Sequence, residues 1–236
     1  MSIEENYLIR EVRECEIFIV NSLMEANFHP EETILKCLLS NNEQSLTDNK
    51  LRQIDEDQRK IIEAMILNLP CQVAVDKCSE KIIGVNIMIA SENPNVSINN
   101  RSINVYEAYP PKCELLSNYF HIMNDMIDKA KLFGKFPKVK RALEFYAIVV
   151  DKDHRRKGLS IALMQNGIEY AKSNGYDLAF GLFTSAYSKK AAERVGMRSV
   201  MDIDLLKYHD PRGSLIFSKS YPHNVASVMV TLIKTF

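Results

Sequence analysis

The sequence predicts an α/β protein with a mixed central β-sheet flanked by helices. Three observations lead there. Residues 142–150 and 177–183 are short apolar runs bounded by turn residues, the pattern of strands buried on both faces. Between them Leu159, Ala162, Leu163, Gly167, Tyr170 and Ala171 share one face at helical spacing, so a helix joins the two strands. Residues 71–75 and 81–89 flank a polar turn and read as a β-hairpin, which adds antiparallel strands to the sheet.

The remaining elements follow in order. Residues 7–12 alternate in polarity and suit a first strand. Ile17, Val20, Leu23, Met24 and Phe28 lie along an amphipathic helix that closes near Pro30. A second helix is expected over 34–39 and a charged third one over 52–69, with the polar stretch 41–49 as a loop between them. After the hairpin, the Asn- and Ser-rich segment 92–102 reads as another loop, and a long helix follows over about 114–132. Asn174-Gly175 ends the helix that begins near Gly158, through a left-handed cap. A shorter helix over 188–195 stops at Gly196, and strands over 198–206 and 225–233 finish the chain, giving about seven strands. With no repeat or low-complexity linker, residues 1–236 are expected to form a single domain.

Composition narrows the function. The 236 residues are 46% hydrophobic and 25% charged, enough for a sizeable core and unlike a disordered chain. Lys plus Arg and Asp plus Glu are both 30, so the net charge is zero, without the basic excess of a nucleic-acid binder. No apolar run approaches a membrane span, and the N-terminus lacks a basic and then apolar leader, so a cytoplasmic protein without membrane attachment is expected. The cysteines Cys15, Cys37, Cys71, Cys78 and Cys113 are scattered, as reduced thiols in a reducing compartment would be. Cys71 and Cys78 sit where a hairpin would allow a bridge, but such a compartment disfavours one. The five histidines are isolated from them, so no metal is expected.

Residues 147–160, AIVVDKDHRRKGLS, carry the sharpest chemical signal. A buried strand runs into a polar turn, and Arg155, Arg156, Lys157, Gly158, Leu159 and Ser160 then open the helix. Free N–H groups and the positive dipole end suit a phosphate there. Gly158 allows the backbone to approach a pyrophosphate closely. A plain helix start with solvated charges is the competing reading. The segment is neither a nucleotide P-loop nor a dinucleotide fingerprint, since GxxxxGK[ST] is missing and only one Gly is present.

This segment resembles the acetyl-CoA-binding motif of the GNAT superfamily of N-acetyltransferases, Gln/Arg-x-x-Gly-x-Gly/Ala, read here as Arg155, Gly158 and Ser160. The downstream order is similar too: N-G-Y-D, a strand, then T-S-A-Y-S-K-K-A-A-E-R-V-G-M. Within the superfamily the chain looks most like the invertebrate arylalkylamine N-acetyltransferase branch. Phe28-His29-Pro30-Glu31-Glu32-Thr33-Ile34 resembles that branch's Phe-x-x-Asp-Glu-Pro-Leu, without the Pro after Glu32, and residues 184–188 match its Ser/Thr-rich run. The resemblance implies the GNAT fold, an acetyl-CoA-binding core at about 142–200, and acetyl-CoA as co-substrate without a metal.

The chemistry it implies is acetyl transfer to the primary amine of a small arylalkylamine such as tryptamine, dopamine or octopamine. Alkylammonium groups have a pKa of about 10, so attack on a thioester near neutrality needs a base. The resemblance gives that role to Glu32. Glu31 is the alternative, and both acids could simply favour a helix dipole. The resemblance places Ile148, Val149 and Val150 beside the acetyl-CoA, where backbone N–H groups would hold the oxyanion. Ser188 or Tyr187 would protonate the thiolate, an easy task for a thiol of pKa about 8.5. Ser188 as a helix cap and Tyr187 as a core aromatic are the alternatives. Ser185 and Lys189 join the expected cofactor contacts, with Lys189 and Lys190 alternatively just solvated. Phe28, Tyr146 and Thr184 join Glu32 as expected substrate contacts, and Phe180 and Phe183 are further candidate walls. A polyamine or protein amine as substrate, and a non-catalytic CoA-binding module, are the rival functions. The expected partners are the amine and acetyl-CoA, the chain being a monomer or weak homodimer that binds no nucleic acid.

Overall fold

In the computed structural model of the chain, residues 3–96, 108–209 and 213–234 are described. The expected loop over 92–102 therefore lies partly outside the described residues. A single helical turn, Ile3–Asn6, leads into β1 (Tyr7–Glu11). Three helices follow, α1 (Ile17–Asn27), α2 (Thr33–Asn41) and α3 (Asp48–Asn68), and then the hairpin β2 (Cys71–Asp76) and β3 (Ile82–Glu92). Helix α4 (Glu114–Lys129) precedes β4 (Arg141–Val150), α5 (Leu159–Ser173), β5 (Leu178–Phe183), α6 (Ala186–Arg194), β6 (Arg198–Asp204) and β7 (Val225–Leu232).

The strands form one seven-stranded sheet in the order β1-β2-β3-β4-β5-β7-β6. Every neighbouring pair is antiparallel except β4 and β5, which α5 joins as a parallel crossover. Alternation along the strands divides the core. Val73, Val85 and Val149 face α1 to α4 and pack with Val20, Ile34, Met65 and Leu116. Leu143, Phe145 and Met88 face the other way and pack with Met164, Ala171 and Ala191 of α5 and α6. Helix α5 lies so close to the sheet that a Cβ at Gly167 would stand 2.4 Å from the Phe145 ring, which is why this buried helix position holds no larger residue.

Two irregularities in β4 shape its C-terminal half. Against β3 the register runs Ile87 with Ala147 and then Met88 with Phe145, so Tyr146 is an extra, bulged residue. A bulge resets the alternation, turning Tyr146 and Ala147 to the same side of the sheet. Against β5 the pairing covers only residues 142–144 with 178–180. Beyond Glu144 the parallel strands no longer bond, and the facing backbone groups of the last residues of β4 are left for another partner.

Two expectations need correction, and the expectation of free cysteines holds. Helix α3 starts at Asp48, four residues before the expected start, because Thr47 caps it by accepting from the Lys50 N–H at 3.4 Å. Helix α6 starts at Ala186 with Ser185 as its cap, so Ser188 is not the capping residue. Cys71 is buried in β2, whereas Cys78 is exposed in the turn, and all five cysteines are free thiols. No helix among the described residues is long and apolar enough to cross a membrane.

Candidate active site

Glu32 is the residue on which the site is built. Its extended backbone (φ −65°, ψ 123°) makes it the cap of α2, and one carboxylate oxygen accepts from the Leu35 N–H at 2.7 Å. The other oxygen accepts from the Thr184 hydroxyl, at the end of β5, at 2.9 Å. One carboxylate thus ties α2 to the strand that has parted from β4. The side chain is buried, at 6% exposure. Burial raises its pKa above the ordinary carboxylate range, while the bonds from Leu35, Thr184, Ile34 and Thr33 pull the other way without cancelling it. Glu31, one residue earlier, is exposed.

Glu32 lines a cavity of about 70 Å³ at the splay between β4 and β5. Its walls include Phe28, Tyr119, Met123, Tyr146, Ile148, Met164, Phe183, Thr184 and Ser188. Of the residues expected from the sequence, Phe28, Glu32, Tyr146, Ile148, Phe183, Thr184 and Ser188 are brought together here. A second, smaller cavity of about 20 Å³ shares the walls Phe28, Tyr119 and Tyr146 with the first and lies among α2, α3 and α4. Tyr119 and Met123, at ordinary core spacing on α4, were missed by the sequence reading. Nothing in the sequence marks them off from their buried neighbours Leu116 and Met126. Tyr119 is fully buried, and its pKa stands well above the phenolic value through burial first and then the nearby charge of Glu32, so it remains a neutral phenol.

The helix start at Gly158 is open. Gly158 has φ +84°, the left-handed region that glycine enters without strain, and no side chain caps the helix. The first-turn N–H groups of α5 therefore face outward beside the end of β4, with Arg156 and Lys157 exposed next to them. The geometry fits a pyrophosphate. Arg155 is differently used: its guanidinium donates to the carbonyls of Val150 at 3.2 Å and Asn27 at 3.1 Å. It braces the end of β4 against α1.

Other expected residues are placed apart from the cavity. Tyr187 is 75% exposed, neither in the core nor on the cavity wall, and meets the His223 ring edge-on at 5.3 Å. Phe180 is packed in the core. Lys189 pairs with Asp202 at 3.0 Å. The Ser188 hydroxyl lines the cavity and lies 2.9 Å from the Ser185 hydroxyl, whose oxygen also accepts from the Ser188 N–H at 3.1 Å. No group of three or more His, Cys, Asp or Glu that could hold a metal ion occurs among the described residues.

This architecture is similar to that of known acetyltransferases. A mosquito arylalkylamine N-acetyltransferase-like 5b superposes with a TM-score of 0.76 at 23% identity, over 96% of this chain and 99% of the other. Arylalkylamine N-acetyltransferase 2 from Aedes aegypti gives 0.72 at 19%, over 97% and 100%. A Drosophila melanogaster polyamine N-acetyltransferase that forms N-acetylagmatine gives 0.72 at 16%, over 96% and 100%. At these identities the likeness is one of fold. Residues 125–197, from α4 through the open helix start to the end of α6, match the model of the acetyltransferase (GNAT) family. Enzymes of that family take the acetyl group from acetyl-CoA. The open helix start lies within the matched residues, and the seven-stranded mixed sheet with its flanking helices is consistent with the GNAT fold.

Proposed function

We propose that this acetyltransferase moves the acetyl group of acetyl-CoA onto the primary amine of a small arylalkylamine, by direct attack within a ternary complex. The observation that carries the reading is the placement of one buried carboxylate, Glu32, in an aromatic-walled cavity at the β4–β5 splay. The pyrophosphate lies on the first-turn N–H groups of α5, with Arg156, Lys157 and Ser160 beside it. The pantetheine arm follows the unpaired edge of β4 past Val150, Val149 and Ile148, so the thioester reaches the cavity.

The ammonium form of the substrate enters toward Glu32, which attracts its charge. Glu32 then takes one amine proton, a task its raised pKa favours. The free nitrogen attacks the thioester carbon, and β4 N–H groups stabilise the oxyanion as the carbonyl becomes tetrahedral. The C–S bond breaks, the nitrogen gives up its second excess proton to water, and the departing thiolate takes a proton from the Ser188 hydroxyl, which Ser185 re-supplies from the solvent side. Tyr187, exposed and off the cavity wall, is the less favoured acid. The whole chain then acts as a single domain, and a cytoplasmic monomer or weak dimer suffices because the site draws on one chain.

A polyamine substrate would present a second cation and need a second carboxylate. Among the described residues that line the two cavities, Glu32 is the only acidic one, and the rest are mainly apolar or aromatic. The test is CoA-thiol release with tryptamine, dopamine, phenethylamine, putrescine, agmatine and a lysine peptide. Higher kcat/KM for the aryl amines is expected. Preference for putrescine or agmatine overturns the substrate class, and release with no amine overturns the enzyme reading.

A further inference from the structure

Asn27, the last residue of α1, is a buried amide at 6% exposure that takes no part in the acetyl-transfer chemistry. Its Nδ2 donates to the Leu23 carbonyl at 3.2 Å, within the helix. Its Oδ1 accepts from the Lys152 N–H at 2.9 Å, in the turn that follows β4. Its main-chain carbonyl accepts from the Arg155 guanidinium at 3.1 Å, and the same guanidinium holds the Val150 carbonyl at 3.2 Å. Two separate bonds thus fasten the end of α1 to the end of β4. An asparagine that only ended the helix would need neither, because the Phe28 and His29 N–H groups both return to the Met24 carbonyl, at 2.9 and 3.1 Å. From Asn27 the path to the base is short. The carbonyl of the next residue, Phe28, accepts from the N–H groups of Glu31 and Glu32, both at 2.9 Å.

We infer that Asn27 is a positioning residue for acyl transfer: with Arg155 it sets the separation between the thioester path along β4 and the base Glu32. The inference rests on the reading of Glu32 as the base and goes beyond it. Attack needs the amine nitrogen and the thioester carbon about 3–3.5 Å apart. The nitrogen is held from the α1–α2 side, by Glu32 and Phe28, and the thioester from β4, so the joint between those elements decides the distance. A misplacement of about 1 Å at such a joint costs on the order of a hundredfold in rate. Each substrate keeps its own contacts, so binding is spared.

The experiment measures kcat and both KM values by CoA-thiol release, with the amine that the wild type turns over fastest, so the class of amine does not enter. Asn27→Ala removes the bond to Lys152, and kcat should fall about ten- to hundredfold while both KM values stay within about twofold. Asn27→Asp keeps an acceptor for Lys152 and should recover most of that loss, which a general loosening of α1 would not produce. Arg155→Lys keeps the charge but loses the planar fork that holds two carbonyls, so it too should lower kcat and spare KM for acetyl-CoA. That variant decides the matter if Asn27→Ala does not fold. An unchanged kcat in folded Asn27→Ala, or a raised KM for acetyl-CoA in place of a lowered kcat, overturns the inference. Glu32→Gln run alongside separates the two claims. A loss there beside an unchanged Asn27→Ala overturns the positioning role alone, whereas wild-type turnover by Glu32→Gln overturns the base and the inference with it.

Discussion

Glu144 is a buried carboxyl on β4, at 8% exposure, with no hydrogen bond or ion pair among the described residues. Burial raises its pKa from the ordinary 4.5 to about 7. The fold therefore prefers the protonated form. Stability from this preference is fully present below the unfolded pKa of about 4.5 and is lost as pH rises through about 7. Between those limits the unfolded chain has released its proton while the folded one keeps it. Each pH unit then removes about 1.36 kcal/mol, and the whole interval about 3 kcal/mol. Gln has nearly the same shape and does not titrate. Urea unfolding of wild type and Glu144→Gln at pH 4.5, 6 and 8 isolates the effect, because other titrations cancel in the difference. The two proteins should be similar at pH 4.5, and the variant should be more stable by up to about 3 kcal/mol at pH 8. A difference that does not change with pH refutes the reasoning, since it would mean that Glu144 ionises as freely in the folded protein as in the unfolded one.

Two further outcomes follow from the site. Thr184→Val removes the hydroxyl that stabilises the Glu32 carboxylate, so the acid limb of kcat/KM against pH should move to higher pH, and an unmoved limb contradicts the link between the two residues. Gly158→Ala forces an L side chain into φ +84° at the helix start, whereas Gly175→Ala imposes the same strain at φ +72° just past the other end of α5. Each should cost about 1–2 kcal/mol of stability, but only Gly158→Ala should raise KM for acetyl-CoA several-fold. An equal effect of both on KM would show that α5's first turn does not hold the pyrophosphate.

Much of this architecture could be read from the chain because it rests on local rules. The apolar runs of β4 and β5, the one-faced spacing of α5 and the left-handed stop at Gly175 are each set by residues close in sequence. The bulge at Tyr146 was not legible, since it depends on how β4 pairs with β3, about 60 residues away. The start of α6 was misplaced because Ser185 and Ser188 are equally good caps in isolation, and only the strand end at Phe183 decides between them. In the site, Glu32 stood out through its neighbours 28–34, and its bond to Thr184 closes a separation of 152 residues that no spacing reveals. Tyr119 was invisible for a related reason. Its helix shows an apolar face, and only the packing of α4 against its neighbours shows which positions border empty space.

The central claim is that Glu32 takes the amine proton. Gln is the right replacement, because its amide oxygen can still accept from the Leu35 N–H and keep α2 capped. CoA-thiol release with tyramine should be followed for wild type and Glu32→Gln from pH 6 to 10, with melting temperatures alongside. The account predicts a loss of about 10²–10⁴ in kcat/KM at pH 7. That loss should shrink as pH approaches about 10, where the free amine becomes abundant without help. A folded Glu32→Gln with turnover near the wild-type level at pH 7 would contradict it.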